Sequence, residues 1–314
     1  MREPSSAVIA TQQDSALKGI ACFVASGVIS SFQDSSIKWL AASYPVGELM
    51  AVRGLCILIM LSFVVWHAGG LGCLIVRRPG AQFLRAACFV GSTGFFIWSL
   101  AYMPLADSIA VTFTGPLLVT ALAPLLLGET VSWRRWTAVL VGFLGVLVII
   151  RPAGGGFYLY TLLPIASALT GALRDIVTRS MTKGETSIAI LFYSTLGSIV
   201  FGLSTSPFGW KPLPLFDVGL LITSGFFAAF SHFLAIHAFR YAEASSIIPF
   251  KYLTLIWASI AGFVVFGDIP GPNVFAGAVL VVGSGLYIIH RETKRRQEAL
   301  KEKGGTDAVP PGSG

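Results

Sequence analysis

The chain has 314 residues, of which 54% are hydrophobic and only 12% are charged, against about 25% charged residues in an ordinary soluble domain. Too few polar side chains are present to cover a water-exposed surface, so the composition excludes an ordinary soluble protein and indicates that lipid surrounds most of the chain. The formal net charge of +7 does not indicate nucleic-acid binding, because the basic residues fall mainly in short connections and in the C-terminal tail.

Hydropathy windows of about 20 residues predict an all-α integral membrane protein with ten transmembrane helices. A polar segment, residues 1–16, precedes the first helix and lacks the pattern of a cleavable signal peptide. Residues 293–314 are charged and then rich in Gly and Pro, so we expect a disordered cytoplasmic tail. The predicted spans cover residues 17–40, 45–66, 83–103, 105–127, 133–150, 157–179, 187–206, 215–240, 243–266 and 273–290.

The basic residues predict the orientation of these spans. Most of the 22 Lys and Arg residues fall on the side that holds both termini, whereas the other side holds only Lys38, Arg151 and Lys211. Positive charge stays in the cytoplasm. We therefore expect both termini to be cytoplasmic and the protein to be a multi-pass protein of the cell inner membrane.

The chain contains two similar halves, residues 17–150 and 151–292. Matching segments lie 139 to 141 residues apart, and each half holds five spans. Because five is odd, the second half must enter the membrane in the opposite direction, as in the inverted repeats of secondary transporters. The matches are Asp34 and Lys38 with Asp175 and Arg179, Leu127–Glu129 with Phe266–Asp268, and Gly145–Arg151 with Gly285–Arg291.

Two charge pairs at i, i+4 spacing stand at matching positions in the two halves. The spacing places Asp34 and Lys38 on one helix face, and it does the same for Asp175 and Arg179. Each pair has two interpretations: a gate at one mouth of a transport cavity, or an intrahelical ion pair that lowers the cost of membrane insertion. An old gene duplication also explains their symmetry.

Several of these features together resemble the drug/metabolite transporter superfamily, EamA type. They are the ten spans, the five-plus-five repeat, the Gly-Glu and Gly-Asp ends of spans four and nine, Arg53 in span two, Pro116 in span four and the run Gly145–Pro152. The resemblance covers roughly residues 17–292 and implies two EamA-like repeats around a central cavity. It also implies secondary transport by alternating access, without ATP hydrolysis, enzymatic chemistry or a cofactor.

Within this superfamily the chain looks most like the α-proteobacterial branch that contains riboflavin importers and S-adenosylmethionine carriers. That resemblance implies a small organic metabolite as the substrate, with riboflavin uptake as the first hypothesis. Transport of S-adenosylmethionine or of amino acids is the alternative. For S-adenosylmethionine an anionic partner is needed, and Asp107 is a candidate.

Two prolines predict interruptions of membrane helices beside polar groups. Pro249 precedes Lys251, and Pro116 follows Thr114 and a glycine. A proline frees a backbone carbonyl inside a helix, and transporters use such breaks to expose polar groups at the membrane midplane. Ordinary proline kinks are the alternative.

Arg53 is a further candidate, because a cation deep in the membrane is costly. It either contacts the substrate or takes part in a proton-linked switch, or it is a packing residue bonded to backbone carbonyls.

Aromatic and hydrogen-bonding side chains provide the remaining candidates. Trp98 and Tyr102 share a helix face by i, i+4 spacing, and Tyr252 lies in span nine; such rings form either a flat surface for a planar ligand or ordinary helix and lipid contacts. His232 is a candidate hydrogen-bond donor. Its five-residue spacing from the next histidine predicts no metal site. Polar side chains of the spans, namely Thr112, Thr114, Ser231, His232 and Tyr252, suit the hydroxyls of the sugar-alcohol chain of riboflavin. Together with the aromatic rings they favour a nearly neutral heterocycle as the substrate.

An intramembrane enzyme is the competing class of function. The sequence has no H-E-x-x-H and no G-x-S-x-G motif, and the topology places Asp34 and Asp175 near opposite membrane surfaces, so they form no catalytic dyad. Spans five and ten are rich in glycine, and small residues let helices approach closely. These spans are therefore expected to form scaffold contacts or the interface of a homodimer.

Overall fold

The computed structural model describes residues 6–67, 69–128, 132–150, 159–181, 185–241 and 248–306, and in these residues all regular structure is helical. Long apolar runs form the helices, and turns, prolines or glycines end them. The α-helices are α1 Ser6–Ala41, α2 Val46–His67, α3 Pro79–Leu100, α4 Leu105–Thr112, α5 Gly115–Leu127, α6 Trp133–Ile150, α7 Leu163–Met181, α8 Ser187–Ser204, α9 Leu215–Tyr241, α10 Leu253–Phe266 and α11 Pro272–Thr306.

Eight stretches of the described chain are long and apolar enough to cross a membrane. Two predicted spans fall short of that measure. One is the charged helix α7, and the other is the shorter apolar segment Phe250–Phe266. Within the described residues, the positions of the ten predicted spans nevertheless coincide with helices, mostly within a few residues.

The first and last helices extend beyond the predicted spans. Helix α1 begins at Ser6 rather than near residue 17, and α11 continues to Thr306. Residues 293–306, expected to be disordered, are therefore helical. The reason is local, because this stretch is rich in Lys, Arg, Glu, Gln and Ala, which favour helix even in water. Residues 307–314 lie outside the described part of the chain.

Two helices are interrupted where the prolines predict it. Span four divides into α4 and α5 between Thr112 and Gly115, because Pro116 has no N–H to donate to the carbonyl four residues earlier. In the described part of span nine, the 3-10 helix Ile248–Tyr252 precedes α10, which begins at Leu253. The two breaks meet, since the rings of Phe113 and Tyr252 lie 5.2 Å apart in an edge-on contact.

Helices of the first half pack on helices of the second. Helix α1 lies against α9 and α3 against α7, while α2 packs on α8 and α6 on α11. Glycines allow the last of these contacts: a Cβ at Gly145 would lie 2.7 Å from the carbonyl oxygen of Gly277. Gly145 and Gly277 therefore hold α6 and α11 together within one chain. Gly283, with nothing near its Cβ position, has no such role, and a homodimer remains a prediction.

The two ends of the bundle differ. We call the end where α1 and α3 finish and α2 and α4 begin the first face, and the opposite end the second face. Behind the first face α4 is almost completely buried, with Leu105 0% and Val111 0% exposed, in a core that also includes Leu49 and Ile97. The first-face side of the breaks is thus filled by apolar side chains.

Candidate functional site

A cavity of about 510 Å³ lies beside the two helix breaks. Helix α5 runs from its break to the second face, and the charged lining residues Arg174 and Asp175 belong to the second-face half of α7. The cavity therefore extends from the breaks towards the second face. Its polar lining consists of Ser92, Thr112, Thr120, Ser167, Arg174, Asp175 and Lys251.

Lys251 is the lining cation to which the described residues provide no direct partner. Its side chain is exposed to the cavity and donates no hydrogen bond to any residue that the structure describes. Asp175 and Arg174 interact with it through longer-range Coulomb forces. Lys251 belongs to the 3-10 helix that precedes α10, so the helix break predicted from Pro249 positions this ammonium group in the cavity.

Arg174 and Asp175 form an ion pair on the cavity wall. The Arg174 Nε and Nη2 atoms both donate to Oδ1 of Asp175, at 2.9 and 2.8 Å. Oδ2 of Asp175 receives no hydrogen bond from the described residues and remains available to a ligand. With Arg174 balanced by Asp175, the ammonium of Lys251 leaves the cavity with one formal positive charge.

Apolar and aromatic groups complete the cavity. Tyr252 and Phe113 line it at the breaks, together with Ile288 and Ile289 of α11. The Tyr252 hydroxyl is buried and has no hydrogen-bond partner among the described residues. A Cβ at Gly285 would clash with that hydroxyl, so the absence of a side chain at this position makes room for the tyrosine.

A second polar cluster joins α1, α2 and α9. Asp34 accepts a hydrogen bond of 2.8 Å from Gln33 Nε2 and interacts electrostatically with Arg53. The Nε atom of Arg53 is buried without a hydrogen-bond partner. His232 Nδ1 donates to the Ala228 carbonyl at 2.7 Å, which leaves Nε2 as an acceptor.

The predicted ion pair between Asp34 and Lys38 is wrong. Lys38 Nζ lies 3.0 Å from Asp268 Oδ2 and donates to the Met103 carbonyl at 2.9 Å. The ammonium also lies 4.9 Å from the centre of the Phe266 ring. Because Lys38 stands at the end of α1, its stem reaches the connection before α11, whereas Asp34 lies one turn deeper.

The second predicted pair has a different outcome. The Arg179 side chain lies outside the described part of the structure, so its pairing with Asp175 is untested. Asp175 instead contacts its sequence neighbour Arg174. The two aspartates lie on different helices, Asp34 on α1 and Asp175 on α7.

The other predicted residues divide into those at the cavity and those elsewhere. Pro116 and Tyr252 line the cavity. Thr114 is 1% exposed and its hydroxyl donates to the Val111 carbonyl, so it stabilises the break without facing the cavity. The Pro249 side chain lies outside the described residues.

The predicted aromatic face of span three is not part of the cavity lining. Trp98 is 47% exposed. Tyr102 lies beyond the end of α3 and stacks on Tyr160, with ring centroids 5.5 Å apart. The helix ends at Leu100, so i, i+4 spacing no longer relates the two side chains as it would inside a helix.

Arg174 was a candidate from the sequence, because a charge inside a span is costly and marks a functional position. Sequence reasoning missed three polar lining residues, Ser92, Thr120 and Ser167. Ser92 and Ser167 carried no comparable signal. They face the cavity because α3 packs on α7, where Ser167 Oγ donates to the Ser92 carbonyl at 2.8 Å.

Known proteins similar to this chain are membrane transporters. The model of the EamA-like transporter family matches residues 17–151. The S-adenosylmethionine uptake transporter of Rickettsia bellii is 30% identical over 244 residues, which cover 77% of this chain and 83% of that protein. The riboflavin transporter of Vibrio cholerae is 31% identical over 224 residues, covering 71% of this chain and 75% of that protein.

A solved crystal structure of another protein has the same fold. It is 15% identical in sequence and superposes with a TM-score of 0.61 over 91% of this chain and 99% of that chain.

Proposed function

Since this chain belongs to the EamA-like transporter family, we propose that it is a secondary transporter that carries a small organic metabolite through the cavity by alternating access. The observation that supports this most directly is the cavity itself. It lies where two interrupted helices meet, and it presents a cation, Lys251, that no described residue binds directly. Interrupted helices at a central site are the usual architecture of secondary transporters.

We propose further that the two halves form an inverted repeat. The helix packing supports this, because exchanging the halves maps the contact of α1 with α9 onto that of α3 with α7. The same exchange maps the contact of α1 with α10 onto that of α5 with α7. It leaves the pair α2 and α8 and the pair α6 and α11 unchanged, as a two-fold axis between the halves would.

We place the protein in the cell inner membrane with both termini in the cytoplasm, as the distribution of basic residues predicts. In that orientation the first face is periplasmic and the second face is cytoplasmic. The described conformation is then closed to the periplasm, with its cavity on the cytoplasmic side.

The first candidate substrate is S-adenosylmethionine. The relative from Rickettsia bellii is named for its uptake, and the cavity offers charged groups of both signs to the amino-acid end of such a molecule. Asp107, the anionic partner expected from the sequence, lies near Lys38 and Asp268 rather than in the cavity lining. Asp175 is the carboxylate that lines the cavity.

Riboflavin is the second candidate. The relative from Vibrio cholerae carries that name, and the rings of Phe113 and Tyr252 with the hydroxyls of Thr112 and Thr120 suit a planar heterocycle with a polyol chain. Two of the rings first considered for stacking, Trp98 and Tyr102, contribute nothing to the lining.

Uptake into liposomes tests the proposal. Purified protein in liposomes should accumulate radiolabelled S-adenosylmethionine or riboflavin faster than protein-free liposomes, and the solute recovered from the lumen should be chemically intact. A panel of labelled amino acids tests the remaining alternative, which is amino-acid transport. Recovery of a modified product would support an enzyme instead, and the absence of uptake for every solute would refute transport of these classes.

A further inference from the structure

The charges of the cavity specify one part of the ligand. Lys251 presents an ammonium group that no described residue binds, and the pair Arg174–Asp175 leaves one carboxylate oxygen free. A charged side chain in a membrane protein costs about 2.5–3.5 kcal/mol to insert. Such a group is stabilised when a bound ligand supplies the missing counter-charge.

Lys251 is the source of the positive potential in the cavity. The N-terminal end of α5 also meets the lining at Gly115, but only two residues separate it from the C-terminal end of α4, with Thr112 in the same lining. The opposite partial charges of these two helix ends offset each other. The opposite formal charge in the lining comes from Asp175.

We propose that the site binds the zwitterionic head group of an α-amino acid: Lys251 receives the carboxylate, and the free oxygen of Asp175 receives the ammonium. This rests on the proposed function and names the substrate class of the same cavity. The remainder of the ligand lies along Phe113, Tyr252 and Ile288. Arg174 is a positioning residue, because its two hydrogen bonds fix the carboxylate of Asp175.

Equilibrium binding to the purified full-length protein tests this without requiring transport. The probes are S-adenosylmethionine and its decarboxylated analogue, which retains the adenosine, the sulfonium and the amine. The wild-type protein should bind S-adenosylmethionine at least about tenfold more tightly, as expected for loss of one charge-assisted hydrogen bond. Lys251→Ala should weaken binding of S-adenosylmethionine by a similar factor and change binding of the analogue by less than about twofold.

Two further variants separate recognition from misfolding. Lys251→Arg keeps the positive charge and should recover most of the preference for the carboxylate. Asp175→Asn should weaken the binding of both probes, because both carry the amine. Arg134→Ala removes a cation that lies over the Trp133 ring, away from the cavity, and should leave both affinities unchanged.

Several outcomes would overturn the inference. Equal affinity of the wild-type protein for both probes would do so. An equal loss of affinity for both probes in Lys251→Ala would do so as well. Binding of riboflavin with no binding of S-adenosylmethionine or a free amino acid would also exclude zwitterion recognition, although the transporter proposal would stand. Conversely, carboxylate-dependent binding without uptake into liposomes would support the inference and contradict the proposed function.

Discussion

Lys38 connects the two halves of the protein at the first face, and we predict that its removal opens that face. Lys38 lies in the last turn of α1, whereas its partner Asp268 belongs to the connection that leads into α11. Their contact of 3.0 Å is partly shielded, since the two side chains are 13% and 33% exposed. In the proposed alternating-access cycle the halves separate here, so we expect this contact to break once in each cycle.

The size of the effect follows from the geometry. A hydrogen bond to a charged group contributes about 1.5–3 kcal/mol when well shielded, and exposure of Asp268 reduces this to about 1–2 kcal/mol. Since 1.4 kcal/mol corresponds to a factor of ten, Lys38→Met should raise the ratio of open to closed first face about five- to thirty-fold. Methionine keeps an apolar stem next to Phe266, so the packing is largely preserved.

A buried reporter measures this opening. Ser108 on α4 is 0% exposed, and Ser108→Cys in a protein without its four native cysteines should react with an impermeant maleimide only when the first face opens. Lys38→Met and Asp268→Asn should each speed labelling from the periplasmic side, and the double variant should add little to either. Lys18→Met, the same substitution near the other end of α1, is the control. Unchanged labelling, or strictly additive effects of the two changes, would refute a coupled gate.

Three further predictions concern other parts of the molecule. Arg53→Ala and Lys251→Ala should reduce transport more than they reduce protein in the membrane, because no described residue binds the Nε atom of Arg53 or the ammonium of Lys251. Normal specific activity of the purified variants would show that both residues are purely structural. Gly145→Val should lower the melting temperature of the purified protein, since overpacking costs about 1–3 kcal/mol and its Cβ would lie 2.7 Å from Gly277, whereas Gly283→Val should change it little; equal shifts would contradict the close packing. A C-terminal green fluorescent protein should fluoresce and a C-terminal alkaline phosphatase should stay inactive; an active phosphatase would place the C-terminus in the periplasm.

The helices were the most predictable part of the fold. A span must hide its backbone from lipid, so length and apolarity mark it strongly in the sequence. The interruptions at Pro116 and Pro249 were also predictable, because proline acts on its own helix. The extension of α11 to Thr306 was not, since the tail was interpreted from its charge and Gly/Pro content rather than from the helix propensity of its first part.

The partners of the charged residues were much less predictable. Spacing shows that Asp34 can reach Lys38 along one helix, but it contains no information on a competing carboxylate 230 residues away. The same limit applies to Ser92 and Ser167, which meet only because α3 and α7 pack together. Local periodicity identifies which residues share a face, whereas the contacts that build this site join distant segments.

Lys38 and Lys251 differ in what surrounds their ammonium groups, and this difference distinguishes a charge that stabilises the fold from one that is available to a ligand. Lys38 is balanced by Asp268, hydrogen-bonded to the Met103 carbonyl and placed over the Phe266 ring, so the protein itself supplies what the ammonium needs. Lys251 receives none of these contacts from the described residues, although it lies at a helix break in a cavity large enough for a metabolite. Insertion of either lysine has the same intrinsic cost, and among the described residues only Lys38 has direct contacts that offset it. No described residue binds the Lys251 ammonium, so we expect its removal to change ligand selectivity, whereas removal of Lys38 should change the equilibrium between conformations.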